Sequence, residues 1–127
     1  MFTQLTQYND IGLFILRLAV AIIFIYHSLP KLKNTKSMAQ MMGAPAGVVL
    51  ALGAIEFLSA IGLALGVYTQ FAALLLAIIM VGAMGMKIMK WKVPFAAMDK
   101  NGWEFDLILF AASVVIMLGG GSIIGVI

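Results

Sequence analysis

The sequence predicts an all-α integral membrane protein, built as a four-transmembrane-helix bundle. Three observations carry that prediction. The chain of 127 residues is 64% hydrophobic and only 10% charged, with a mean hydropathy of +1.12. A small soluble domain leaves too much of its area exposed to hide that much apolar surface. The apolar residues fall into four runs, approximately 11–30, 46–67, 69–87 and 104–121, each close to the roughly 20 residues that cross a bilayer as a helix. Seven of the eight basic residues lie in the two loops after the first and third runs, the asymmetry that orients multi-span proteins. One membrane domain, 1–127, accounts for the whole chain, and lipid is its solvent.

The first run begins after Asn9 and Asp10, which are plausible helix caps. It contains Arg17, ends in Tyr26-His27-Ser28, and is closed by Pro30 and the lysines at 31, 33 and 36. With no Lys or Arg before Arg17 and no small-residue cleavage site after the run, it reads as a retained helix rather than a signal peptide. The methionine-bearing linker MAQMMGAP that follows predicts either an interfacial turn of helix or a re-entrant stretch. The second run, Ala46 to Val67, carries a single charge, Glu56, at its middle. Only Tyr68-Thr69-Gln70 separates it from the third, so the two form an antiparallel hairpin. Lysines 87, 90 and 92 close the third run, with Trp91 suited to the interfacial aromatic belt. Trp103 opens the fourth, before GGGS and a short apolar tail, Ile123 to Ile127. Gly62-x-x-x-Gly66 and the pair Gly82 and Gly85 offer small-residue surfaces for helix packing in lipid.

Both lysine-rich loops are expected in the cytoplasm and both termini outside, in a multi-pass protein of the cell (plasma) membrane. The same rule accounts for the net charge of +3 and pI near 9.4 without a nucleic-acid partner. The chain has no cysteine, so thiolate and disulfide chemistry is excluded. With one histidine and no ligand pair at helical spacing, no metal site is expected. GGGS follows a helix and has no lysine after it, so it is not a phosphate loop.

Glu56 needs a partner, because a carboxylate at mid-bilayer costs about 2.5–3.5 kcal/mol on insertion scales. Measured from a shared interface at Pro30 and Ala46, Arg17 lies about 20 Å deep and Glu56 about 15 Å. An extended arginine spans that difference, so the depths predict an Arg17–Glu56 ion pair. The pair reads either as a register-fixing structural device or as the polar floor of a ligand site, since intramembrane ionisable groups mark function by default. His27 shares a broad face with Arg17 nearer the lysine end. Glu104 and Asp106 open the fourth helix at that level. A histidine beside carboxylates can pass protons or hydrogen-bond a ligand carbonyl. Acidic residues in a first helical turn also simply favour the helix dipole, which is the stronger reading for Asp106.

The order of these features resembles the DoxX family of small four-helix membrane proteins over nearly the whole chain. Arg17 to Leu32, RLAVAIIFIYHSLPKL, is similar to the family's Arg, apolar stretch and His-Gly-x-x-Lys-Leu, with Ser28 in place of Gly. Met42-Gly43-Ala44-Pro45 resembles its turn before helix two. Glu56 to Ala73 resembles its Glu, small pair, then Leu-x-x-Gly-x-x-Thr-x-x-Ala-Ala, with Ser59-Ala60 replacing two glycines. Gly102-Trp103-Glu104-Phe105-Asp106-Leu107 looks like the opening of its helix four. The chain departs from the pattern at Met86-Lys87, where members often have histidine, and at Ser122-Ile123-Ile124, which lacks a final Asp.

That resemblance implies a link to membrane redox: some relatives are subunits of a thiosulfate:quinone oxidoreductase, and others associate with oxidative-stress enzymes. Carried over by position, Arg17, His27, Glu56 and Glu104 become candidates for a ligand pocket or proton relay, with Tyr26, Trp103 and Asp106 beside them. The leading expectation is a redox-associated subunit without its own redox centre, binding a quinone-like molecule and receiving electrons from a partner enzyme. Two others stay open. One is a non-enzymatic scaffold or assembly factor with a structural Arg17–Glu56 pair. The other is a proton-coupled small-molecule transporter, which four spans without a repeat would support only as a homo-oligomer.

Overall fold

The first apolar run folds as α1 (Asn9–Lys33), preceded by a 3-10 turn, Thr3–Tyr8. The computed structural model describes residues 3–96 and 101–119. The GGGS stretch after Gly119, the tail Ile123 to Ile127 and the last residues of the fourth run lie outside them. α1 continues through Pro30 instead of ending there. Proline forfeits one backbone bond, which a helix in lipid tolerates when its neighbours are satisfied. Here the Pro30 carbonyl still accepts the Asn34 N–H at 2.7 Å, and the Thr35 hydroxyl donates to the Lys31 carbonyl at 2.7 Å. The methionine linker is a short helix, α2 (Thr35–Met42), stopped by Gly43 at φ +69°.

After Pro45 in extended conformation come α3 (Ala46–Leu65) and α4 (Thr69–Gly85). The turn between them uses Gly66 at φ +77°, the left-handed geometry that glycine adopts without strain. Val67 N–H then donates to the Gly62 carbonyl at 2.8 Å, and a Cβ on Gly62 would stand 3.0 Å from the Val67 carbonyl oxygen. Gly62 and Gly66 thus mainly build a turn, and among the described residues nothing lies within 4 Å of a Cβ built on Gly82 or Gly85. The expected small-residue packing surfaces are turn and open surface instead. α4 ends in one π-helical turn, Met86–Lys90, and α5 (Trp103–Gly119) completes the described chain.

Each longer helix buries one stripe. On α3 it is Val49, Gly53, Glu56, Ala60 and Leu63, at helical spacing. Val20, Phe24, Leu63, Leu76, Leu109 and Ile116 anchor the common core. α1 packs closely on α3 and α4 on α5; α3–α4 and α1–α5 are lighter seams that close the ring, and α2 rests on α1 and α3. Neighbours run antiparallel: α5 meets α1 through Gly119 beside Leu13 at one end and Phe105 beside His27 at the other.

Among the described residues, three segments are long and apolar enough to cross a membrane: Asn9–Lys33, Ala46–Leu65 and Thr69–Lys90, with mean hydropathies of 2.1, 2.3 and 2.2. The protein is therefore a multi-pass membrane protein. α5 has 17 described residues, fewer than the roughly 20 a full span needs.

Candidate functional site at the lysine end of the helices

The partner of Glu56 is Lys31, not Arg17. Lys31 Nζ lies 2.7 Å from Glu56 Oε1 and 2.8 Å from Oε2, and the carboxylate is almost fully buried. The reach depends on Gly53, one helical turn before Glu56. A Cβ on Gly53 would stand 2.8 Å from Lys31 Cβ and 3.3 Å from the Leu32 side chain. Without one, the lysine stem lies against the α3 backbone and climbs to the carboxylate. Ser28, also fully buried, is level with Glu56 and donates its hydroxyl to the Ile25 carbonyl at 2.9 Å. A small residue is needed there for the same close approach.

This contact also explains why depths measured from a shared interface at Pro30 and Ala46 fail as a guide. Because α1 runs on past Pro30 and α2 intervenes, α3 is offset along α1, and Gly53 rather than Ala46 meets Lys31 and Leu32. In that register Arg17 lies eleven residues above Ser28, about 16 Å from the level of Glu56. Arg17 is buried at the opposite end, its guanidinium carbon 5.2 Å from the centre of the Phe14 ring.

A second ion pair ties α4 to α5: Lys87 Nζ lies 2.9 Å from Asp106 Oδ2, and the same ammonium stands 5.8 Å from the centre of the Phe105 ring. Asp106 is buried, whereas Glu104, two residues earlier, is exposed. The structure thus inverts the expected ranking of the two acids. In α5 the inward stripe is Asp106, Leu109, Ser113 and Ile116, and position 104 falls off it.

His27 lies between the two pairs. Its ring is 5.1 Å from that of Phe105 across the α1–α5 seam and 5.5 Å from that of Tyr26. The charges of Lys31, Lys87 and Asp106 all act on it. Tyr26 itself points outward, 71% exposed, and Trp103 is half-buried edge-on to Phe95 at 4.6 Å. Of the expected residues, His27, Glu56 and Asp106 come together at the lysine end; Arg17 does not. Lys31, Lys87, Gly53 and Phe105 join the site unannounced. Lys31 stood inside the His-Ser-Leu-Pro-Lys motif, so its spacing of four from His27 on one helix face was the available signal.

Chemically, this end offers an imidazole hydrogen-bonding group, an aromatic face and two internally neutralised acid–base pairs. The family model for DoxX matches residues 12–92, more than half of the chain. The chain belongs to the DoxX family. Within the DoxX match lie Arg17, His27, Lys31, Gly53, Glu56 and Lys87, while Asp106 on α5 falls beyond it. The chain is also similar to a protein of Bacillus subtilis (strain 168) named "Putative oxidoreductase CatD". The two are 29% identical over 114 residues, covering 87% of this chain and 81% of that protein. No solved structure matches.

Proposed function

We propose that this DoxX protein is a membrane redox-associated subunit that receives the head group of a quinone-like molecule at His27. The observation carrying the reading is the half-buried imidazole beside Phe105, set between two ion pairs at one end of the lightly packed α1–α5 seam. A lipid-soluble ligand can enter laterally through such a seam. Its ring would lie against Phe105 and its carbonyl would accept a hydrogen bond from His27. The DoxX match and the oxidoreductase name of the Bacillus subtilis relative support the redox association.

In this reading the two electrons of quinone reduction come from a partner enzyme, and the two protons enter from the lysine side through His27 and Asp106. Lys31 and Glu56 hold α1 in register beneath the site. Glu104 stands at its mouth, and Arg17 serves the far end. α5 crosses as a fourth span, with the lysine loops cytoplasmic and both termini outside.

Both tryptophans, Trp91 and Trp103, lie at the lysine end, so a short-chain quinone bound there quenches their fluorescence. Titration of the purified protein in nanodiscs is expected to saturate, and His27→Ala to weaken binding at least about tenfold, as loss of a buried polar contact does. Linear, unsaturable quenching that is identical in His27→Ala sinks the proposal. A second reading, a non-enzymatic scaffold, is favoured by the ion pairs themselves, since each ties together one closely packed helix pair. Under it, Glu56→Gln lowers recovery of a co-purifying partner and leaves quinone titrations flat for both proteins.

A further inference from the structure

The lysines at this end divide into three kinds. Lys31 and Lys87 turn inward and are consumed by Glu56 and Asp106. Lys90 reaches across to the Gly43 carbonyl at 2.9 Å. Lys33, Lys36 and Lys92 remain exposed, and among the described residues none of them has an ion-pair partner. Because the inward lysines neutralise both buried acids, Glu104 is the exposed described carboxylate left against this outer set.

Two interactions gather these outer charges onto one platform. α2 is amphipathic, with Ala39 buried and Lys36, Ser37 and Gln40 outward. Its final carbonyls are clasped by the segment after α4: besides Lys90 on Gly43, the Trp91 indole N–H donates to the Met42 carbonyl at 3.3 Å. α2, which starts beside Lys33 and carries Lys36 in its first turn, is thereby fastened at its C-terminal end to the segment bearing Lys90 and Lys92.

We infer that this platform is a binding surface for anionic phospholipid head groups. It lies where three membrane-length helices end or begin, so head groups are its immediate neighbours and long lysine stems reach them directly. A basic juxtamembrane cluster attracts an anionic leaflet by roughly fivefold per lysine before screening. Charge orientation alone requires only that the lysines be on one side. The clasp adds a fixed geometry, and so a preference among lipids. The inference is independent of quinone binding.

The test is electron spin resonance of the full chain reconstituted with spin-labelled phosphatidylglycerol or phosphatidylcholine, read as the ratio of their association with the protein. In low salt the ratio is expected to be at least about threefold in favour of phosphatidylglycerol. It falls towards one in 1 M salt, where the Debye length is about 3 Å. The triple variant K33Q/K36Q/K92Q loses the preference and K33R/K36R/K92R keeps it. A wild-type ratio near one overturns the proposal, and needs no variant to fold. So does a preference that survives both high salt and the glutamine variant. A ratio near one would leave these lysines to an acidic protein segment.

Discussion

Two ion pairs at the same end of this protein use the same chemistry and depend on their surroundings in different ways. Lys31–Glu56 fastens α1 to α3, and Lys87–Asp106 fastens α4 to α5. Glu56 sits mid-helix, where every backbone N–H is already committed, and both its oxygens rest on one ammonium. Asp106 sits in the first turn of α5, where the helix dipole favours a negative charge without help. A carboxylate at a helix start has two sources of stabilisation; one at a helix centre has a single source, and that source must be brought to it. Gly53 is what brings it.

The largest effect is therefore expected from Lys31→Met. Removing one partner of a buried pair costs about 3–5 kcal/mol, because the remaining charge is left in a dry site. The unfolding free energy in detergent should fall by that amount. Lys31→Met with Glu56→Leu should recover most of it, since two well-packed apolar residues are often no worse than a buried pair. A loss below about 1 kcal/mol for the single variant would mean that Glu56 is not dependent on Lys31.

Lys87→Met comes next. The geometry is poorer, one oxygen at 2.9 Å, and the α5 N-terminus continues to stabilise Asp106 by up to about 2 kcal/mol. The expected loss is about 1–3 kcal/mol, so the two lysine variants differ by about 2 kcal/mol in one assay. Equal losses would show that the helix start contributes nothing at Asp106 and would erase the distinction.

How much of this was legible in the sequence follows from which forces sequence encodes. Apolar runs and lysine loops report directly on the transfer of side chains to lipid, and α1, α3 and α4 fall where the runs predict. Glu56 was visible as an expensive polar group among apolar neighbours and His27 as a titratable group near it, whereas Asp106 read as an acid suited to a helix start. Their partners were not visible, because pairing is set by how far one helix slides along another. That offset arose from Pro30 failing to end α1 and from α2 forming in a linker whose composition was ambiguous. The slide from Pro30 level with Ala46 to Lys31 level with Gly53, about 12 Å at 1.5 Å per residue, moved Arg17 out of reach of Glu56 and Lys31 into it. The glycines misled for a related reason: Gly62 and Gly66 match a packing pattern, yet their backbone is spent on the α3–α4 turn.

The smallest effect belongs to Gly53→Ala, and it isolates the feature that separates the two pairs. The new methyl would stand 2.8 Å from Lys31 Cβ, an atom fixed to the α1 backbone and unable to swing aside. Overpacking of this kind costs about 1–3 kcal/mol, while alanine regains up to about 1 kcal/mol of helix propensity. A net loss of about 1–2 kcal/mol is expected. Gly47→Ala in the same helix is the control, because among the described residues nothing lies within 4 Å of a Cβ built there; there only the propensity gain remains and stability should rise. Opposite signs at the two positions would establish that Gly53 is kept open by the crossing of Lys31. A gain at both would mean that α1 can retreat from α3 without loss. The close approach would then be a consequence of the Lys31–Glu56 pair and not its condition.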